Sequence, residues 1–312
     1  MKMQLRNILY TTDFSERSNS LLSYGLAFAR EFGAKLYVCH IVDIPVTSIY
    51  AEYSESFLDL TEHRERMTED AKKQIEQLME GTAIDWEPLV IQGHPADEIA
   101  LIPESKDIDL VVSATHGRSG LKRLVIGSVT ERLMRTVPCP LLVVRRPDQE
   151  SRAGGGEDIG LKKILLGCDF SPDSNLAVEY GLSLAQQFQT ELHLVHVIEP
   201  SVYKALIKQE TEEKTQEDLR ILLNDKLTNI VPEEARFWCK PTTMLLAGQP
   251  YKEIIKYAVV NKIDLIIVGF RGLGMVETIL VGSTTARVVR QAPCPVLSVR
   301  PKFEPESSPE GK

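Results

Sequence analysis

Ile8-Leu9-Tyr10-Thr11-Thr12-Asp13-Phe14-Ser15 opens the chain, and Ile164-Leu165-Leu166-Gly167-Cys168-Asp169-Phe170-Ser171 restates it 156 residues later. In each copy a short apolar run ends on an aspartate. Ser18-Asn19 and Tyr24-Gly25-Leu26 follow the first copy as Ser174-Asn175 and Tyr180-Gly181-Leu182 follow the second. A buried parallel strand reads this way when it delivers a carboxylate to its C-terminal end and runs on into a helix. Further along, Gly127-Ser128 and Pro138-Cys139-Pro140 recur 155 residues on as Gly282-Ser283 and Pro293-Cys294-Pro295. One deletion in a duplicated domain leaves a one-residue slip of this kind, and a period this long marks whole domains rather than solenoid repeats.

Each half alternates strand and helix patterns. In the first, residues 7–12, 36–42, 88–92, 109–114 and 141–145 are nearly continuous in apolar residues, as strands covered on both faces are. Between them, 18–32 carries a helical stripe stopped by Gly33, 60–79 a long polar helix, Pro95 the start of a short helix, and 128–136 a fourth. The second half repeats the order, with strands at 163–168, 192–197, 243–247, 264–269 and 296–299 and a polar helix over 211–227. The expected fold class is α/β, with two similar doubly wound domains, each a five-stranded parallel sheet flanked by helices in the Rossmann manner. The expected boundaries are a first domain at 1–147, a charged, glycine-rich linker at 148–160, a second domain at 161–301 and a disordered tail at 302–312.

Composition narrows the function classes. The chain is 43% apolar and 26% charged, as an ordinary globular protein is, and its net charge of −8 argues against sequence-independent nucleic-acid binding. No apolar leader and no run of about 20 apolar residues is present, so a cytoplasmic protein without membrane contact is expected. Five cysteines without a C-x-x-C spacing suit neither a disulfide framework nor a zinc site; Cys139 and Cys294, each between two prolines, read as buried packing residues rather than redox switches. The six histidines show no metal-ligand spacing, and His40 and His196, at the ends of strands, read as packing.

In an open α/β sheet, ligands bind beyond the carboxyl ends of the strands, where strand order reverses. Asp13 and Asp169 stand just past the first strand of each half. Pro172 suits the first helical turn and makes Ser171 the N-cap, which leaves Asp169 to accept hydrogen bonds from a ligand amine or ribose hydroxyl; Asp13 inherits the reading. Past the fourth strand, Gly269-Phe270-Arg271-Gly272 is followed after nine residues by Gly282-Ser283-Thr284. The first half has Ala114-Thr115-His116-Gly117, nine residues, then Gly127-Ser128-Val129. Glycines let backbone N–H groups close on a phosphate, and a helix opening at Gly-Ser offers its N-terminus to an anion.

On these residues the chain resembles a tandem member of the universal stress protein family, each half matching from its Ile-Leu-x-x-x-Asp-Phe-Ser opening to the strand led by Pro-Cys-Pro. The family's nucleotide-binding branch carries G-x2-G-x9-G-[ST], which the second half satisfies. The resemblance implies an adenine-nucleotide role (ATP, ADP or AMP, with or without Mg²⁺) for Asp169, Val197, Gly269, Gly272, Gly282, Ser283 and Thr284. In the first half it implies the same for Asp13, Ile41, Gly117, Gly127, Ser128 and Val129. Ala114 stands where the first glycine belongs, and Arg271 and His116 are candidates for phosphate contact. If that first position needs a positive φ, or if a methyl strikes the ligand, the first site is weakened. Phe270 is bulkier than is common at its place, so it either crowds the second site or stacks on a base. The resemblance further implies that the two last strands, 141–145 and 296–300, pair in an internal pseudo-dimer, leaving another surface for a homodimer and for an unidentified protein partner.

Neither a P-loop nor a G-x-G-x-x-G after a first strand is present, no G-x-S-x-G elbow occurs, and no carboxylate pair suits acid–base work, so no catalytic residue is assigned. The expected function is a stress-response protein that binds adenine nucleotide at the junction of the first and fourth strands and acts as a regulatory module. The alternatives are a nucleotide-free interaction protein, a slow ATPase and a thiol sensor.

Overall fold

The computed structural model describes residues 3–43, 57–114, 126–144, 159–199, 216–239, 241–272 and 281–301. The first domain runs β1 (Asn7–Thr11), α1 (Glu16–Asn19), α2 (Leu22–Phe32), β2 (Lys35–Asp43), α3 (Phe57–Met79), β3 (Trp86–Gly93), α4 (Pro95–Ser105), β4 (Leu110–Ala114), α5 (Ser128–Thr136) and β5 (Leu141–Val144). The second runs β6 (Lys163–Gly167), α6 (Pro172–Phe188), β7 (Glu191–Ile198), α7 (Gln216–Asn229), a 3₁₀ turn (Glu233–Phe237), β8 (Thr242–Ala247), α8 (Pro250–Asn261), β9 (Leu265–Gly269), α9 (Ser283–Gln291) and β10 (Val296–Val299). The alternation is the expected one. Most of the linker and the tail lie outside the described residues, although Ile159 and Leu161, at the linker's end, are buried in the core.

Among the described residues the strands form one ten-stranded sheet in the order β3-β2-β1-β4-β5-β10-β9-β6-β7-β8. All neighbours are parallel except the central pair, where Val143, Leu142 and Leu141 of β5 face Val296, Leu297 and Ser298 of β10. The last strands of the two halves therefore join into one continuous sheet. Successive side chains point to opposite faces, so Leu142 enters the core on one side of the sheet and Val143 the core on the other. Each core draws residues from both domains. Around the seam, Ser298 Oγ donates to the Leu141 carbonyl at 3.3 Å, Arg290 pairs with Glu131 at 2.9 Å, and the Arg300 guanidinium donates to the Val137 carbonyl.

The halves differ in their first helix. A single helix over 18–32 is expected, and the second half has one continuous α6, capped by Ser171, whose side chain accepts from Ser174 N–H with Pro172 following. In the first half the helix is broken at Ser20–Leu21 into α1 and α2. The cause is the hydroxyl of Tyr10, which donates to the Ser18 carbonyl, an oxygen also taken by Leu21 N–H at 3.0 Å. That carbonyl is thereby drawn from the i to i+4 ladder. The repeat places Leu166 opposite Tyr10, and a leucine makes no such demand.

All five cysteines are buried thiols, and burial pushes Cys39 up to about 12, so the thiolate needed for redox chemistry is suppressed there. Among the described residues no helix is long and apolar enough to cross a membrane. His193 on β7 is buried, with Nδ1 against the Tyr257 hydroxyl at 2.9 Å and Nε2 3.8 Å from a Glu191 carboxylate oxygen. Desolvation, then the nearby Lys163, pushes its pKa down; desolvation likewise lowers His196. A base depressed in the folded state binds its proton first in the unfolded chain, so stability is complete above the unfolded pKa of about 6.5 and falls as pH drops below it. Urea midpoints should decline between pH 7 and 5, and His193→Gln should flatten part of that decline; an unchanged slope in this variant would refute the assignment.

Candidate functional site

The site is built by the same device in both halves. Asp13 follows β1, and its Oδ1 accepts from Ser15 N–H at 3.0 Å and from Ser18 Oγ at 2.7 Å. Asp169 follows β6 and accepts from Ser171 N–H at 3.0 Å. Ser15 and Ser171, not the aspartates, cap the helices that follow, as the placing of Pro172 leads one to expect. The next residues, Phe14 (φ 61°) and Phe170 (φ 64°), are left-handed, a conformation costing a bulky L-residue about 1–2 kcal/mol. Each phenyl ring lies on a histidine ring, Phe14 on His40 at 4.3 Å and Phe170 on His196 at 4.6 Å. Each histidine Nδ1–H donates to the carbonyl preceding the aspartate, Thr12 at 2.9 Å and Cys168 at 2.8 Å. The histidines are packing residues, and what they pack is the turn that carries the carboxylate.

The second element is the helix start beyond β4 and β9. Gly127 and Gly282 occupy the N-cap positions of α5 and α9 and bring no capping side chain. The N–H groups of the first turn therefore remain available to an anion, with the helix dipole behind them. Thr130 and Thr285, which the sequence reading does not single out, fasten these helices to the strand ends: their hydroxyls donate to the Ala114 carbonyl at 2.5 Å and the Gly269 carbonyl at 2.6 Å. Their signal is the repeat itself, since both stand three residues after the glycine.

In the first domain these elements enclose a cleft of about 630 Å³, within the range of small-molecule sites. Asp13, Ile41, Ala114, Gly127, Ser128 and Val129 all line it; His116 and Gly117 lie outside the described residues. The cleft runs across the C-terminal strand ends, where order reverses between β1 and β4. Its lining also contains Asp43 at the end of β2 and Met67, Asp70 and Gln74 of α3, residues for which the sequence offered no motif.

In the second domain Asp169, Gly272 and Gly282 converge. A Cβ on Gly272 would stand 2.6 Å from Asp169 Oδ2, and one on Gly282 would meet the Phe270 carbonyl at 3.2 Å. Gly282 N–H donates to that same carbonyl at 2.9 Å, closing the glycine segment onto the start of α9. Ser283 and Thr284 form its first turn, and Val197 lies near the end of β7. Arg271 turns to Asp173 in α6: Nε and a terminal nitrogen grip the two carboxylate oxygens at 3.0 and 3.1 Å, and its backbone N–H adds a third bond at 3.0 Å. The Asp173 side chain is 4% exposed, so this fork locks the glycine segment to the helix. The Phe270 ring is buried, with the Arg300 guanidinium 3.9 Å from its centre.

The first glycine of the motif has a reason other than the two expected. Gly269 has no positive φ, and an added Cβ would lie 2.8 Å from the Asp173 carbonyl carbon and the Ser174 nitrogen. It is glycine because α6 starts against it. The first half carries Ala114 at the end of β4. Gly269→Ala is expected to cost about 1–3 kcal/mol by displacing the start of α6, whereas Ala114→Gly should change stability by under about 1 kcal/mol. Equal losses for the two in urea titration would contradict this account.

Comparison with known proteins fits this geometry. The profile described as Universal stress protein family matches residues 4–145 and again 160–300. A universal stress protein of Methanocaldococcus jannaschii is 32% identical over 146 residues, covering 46% of this chain and 85% of the relative. One from Mycolicibacterium smegmatis is 27% identical over 300 residues, 95% of this chain and 97% of the relative. Among solved structures, a universal stress protein from Archaeoglobus fulgidus superposes with a TM-score of 0.69 at 22% identity, covering 96% of this chain and 99% of that one.

Proposed function

The chain belongs to the universal stress protein family, and from that premise we propose that it binds adenine nucleotide at the C-terminal strand ends of both domains and passes the bound state to a protein partner in the cytoplasm. The observation that carries this reading is the cleft beside β1 and β4, lined both by a carboxylate and by an uncapped helix N-terminus. A nucleotide has the matching polarity. Asp13 and Asp169 suit the hydrogen-bond donors of an adenine amine or ribose hydroxyl. The first-turn N–H groups of α5 and α9, with Ser128 and Ser283, suit phosphate oxygens. Binding rather than turnover is the proposed role, with hydrolysis at most slow.

The test is direct. Isothermal titration with ATP, ADP and AMP should show up to two sites per chain, and acid extraction of freshly purified protein should release adenine nucleotide. Asp13→Ala and Asp169→Ala should each weaken one site by about 10- to 100-fold, the range expected for losing a hydrogen bond to a charged group. No heat, no released nucleotide and no thermal shift at millimolar ATP would refute the reading in favour of a nucleotide-free interaction protein.

A further inference from the structure

Resting on the adenine-nucleotide reading, we propose that Lys226 and Asp70 give the two sites opposite charge preferences. The second site favours polyphosphorylated adenine ligands over adenosine, and the first favours adenine ligands of low negative charge. The two long helices occupy the same seat: Ile75 and Leu227 are both fully buried, and four residues on so are Met79 and Val231. One residue before the first of these anchors stand Gln74 in α3 and Lys226 in α7; five before stand Asp70 and Leu222. Gln74 and Asp70 line the first cleft. In the second domain the same helical wall carries a cation in place of the amide and an aliphatic residue in place of the carboxylate.

Lys226 is aimed at the site. Its Nζ lies 4.3 Å from the centre of the Phe170 ring, the ring that follows Asp169 and packs against His196. Among the described residues it has no ion-pair partner. The lining of the first cleft includes Asp13, Asp43 and Asp70. The repeat matches Asp43 with Glu199, so among these described residues the difference falls on α3 and α7 and not on the ends of β2 and β7. A wall of carboxylates repels a polyphosphate and tolerates adenosine, whereas an ammonium at the rim attracts in proportion to ligand charge.

The experiment is calorimetric titration of the full chain with ATP and with adenosine at low salt, for wild type, Lys226→Gln and Asp70→Asn. Both positions are exposed on helices, and melting temperatures verify folding. Asp13→Ala and Asp169→Ala backgrounds assign each site. Lys226→Gln should weaken ATP at the second site about three- to tenfold and leave adenosine unchanged, an effect that shrinks as salt rises. Asp70→Asn should strengthen ATP at the first site by a factor of similar size. If wild type binds both ligands and neither variant alters the ATP-to-adenosine ratio, the charge preference is overturned while the binding reading stands. If wild type binds neither ligand, both are overturned.

Discussion

Leu297→Asp is expected to unfold both halves of the molecule together. Leu297 sits on the antiparallel seam opposite Leu142; both are buried, and both belong to a core that includes Val38 and Leu110 of the first domain and Ile164 and Leu194 of the second. A carboxylate there has no partner within the apolar layer, and the cost exceeds about 4 kcal/mol, a large share of the 5–15 kcal/mol that holds a typical domain. The measurement uses the chain's two tryptophans, Trp86 in the first domain and Trp238 in the second. Fluorescence of the single-tryptophan variants Trp86→Phe and Trp238→Phe follows each half separately through a urea titration. Coincident midpoints in the native background, and a joint fall with Leu297→Asp, would show one cooperative unit. A fall confined to Trp238 would show that the halves fold independently and that the seam is incidental.

The second large effect concerns Asp173. Removing its carboxylate strips the Arg271 guanidinium of its fork and the Arg271 N–H of its acceptor in a single step. Arg271 keeps partial access to water, at 26% side-chain exposure, so the penalty is smaller than for a fully buried pair. Asp173→Ala should cost about 2–4 kcal/mol. Because the lost bonds hold the glycine segment against α6, nucleotide affinity at the second site should fall with stability while the first site is spared. The double variant Asp173→Ala/Arg271→Ala should lose less than the sum of the single losses, since neither charge is then stranded. Additive losses would mean that the fork contributes nothing beyond its separate parts.

The inner strands were legible because each is a short apolar run that the sheet covers on both faces, and the helix over 128–136 because Gly-Ser opens it and Pro138 follows its end. The carboxylate turns were legible from repetition. Contacts between residues distant in sequence were not. The break between α1 and α2 depends on a tyrosine hydroxyl reaching from β1 to a helix carbonyl, and no local pattern of residues 16–24 reports it. Arg271 reads as a phosphate ligand until Asp173, 98 positions away, is seen to hold it. The glycine at 269 looks like a ligand requirement in a motif and proves to be a packing requirement of the protein's own helix. Lys226 and Asp70 carry no motif, and their relation emerges only when the two helices are aligned on their buried residues.

The β5–β10 seam has an evolutionary corollary. Two identical chains joined across a two-fold axis must accept every substitution twice, once at each site, and must meet at a concentration that holds them together. Joined in one chain, the halves meet at a local concentration set by the tether rather than by expression level, so the pairing survives dilution. Each half is also released from its twin. Alanine can replace glycine at 114 while 269 stays glycine, and a lysine can arise at 226 without a counterpart at 74. A single polypeptide can thus hold two versions of one site.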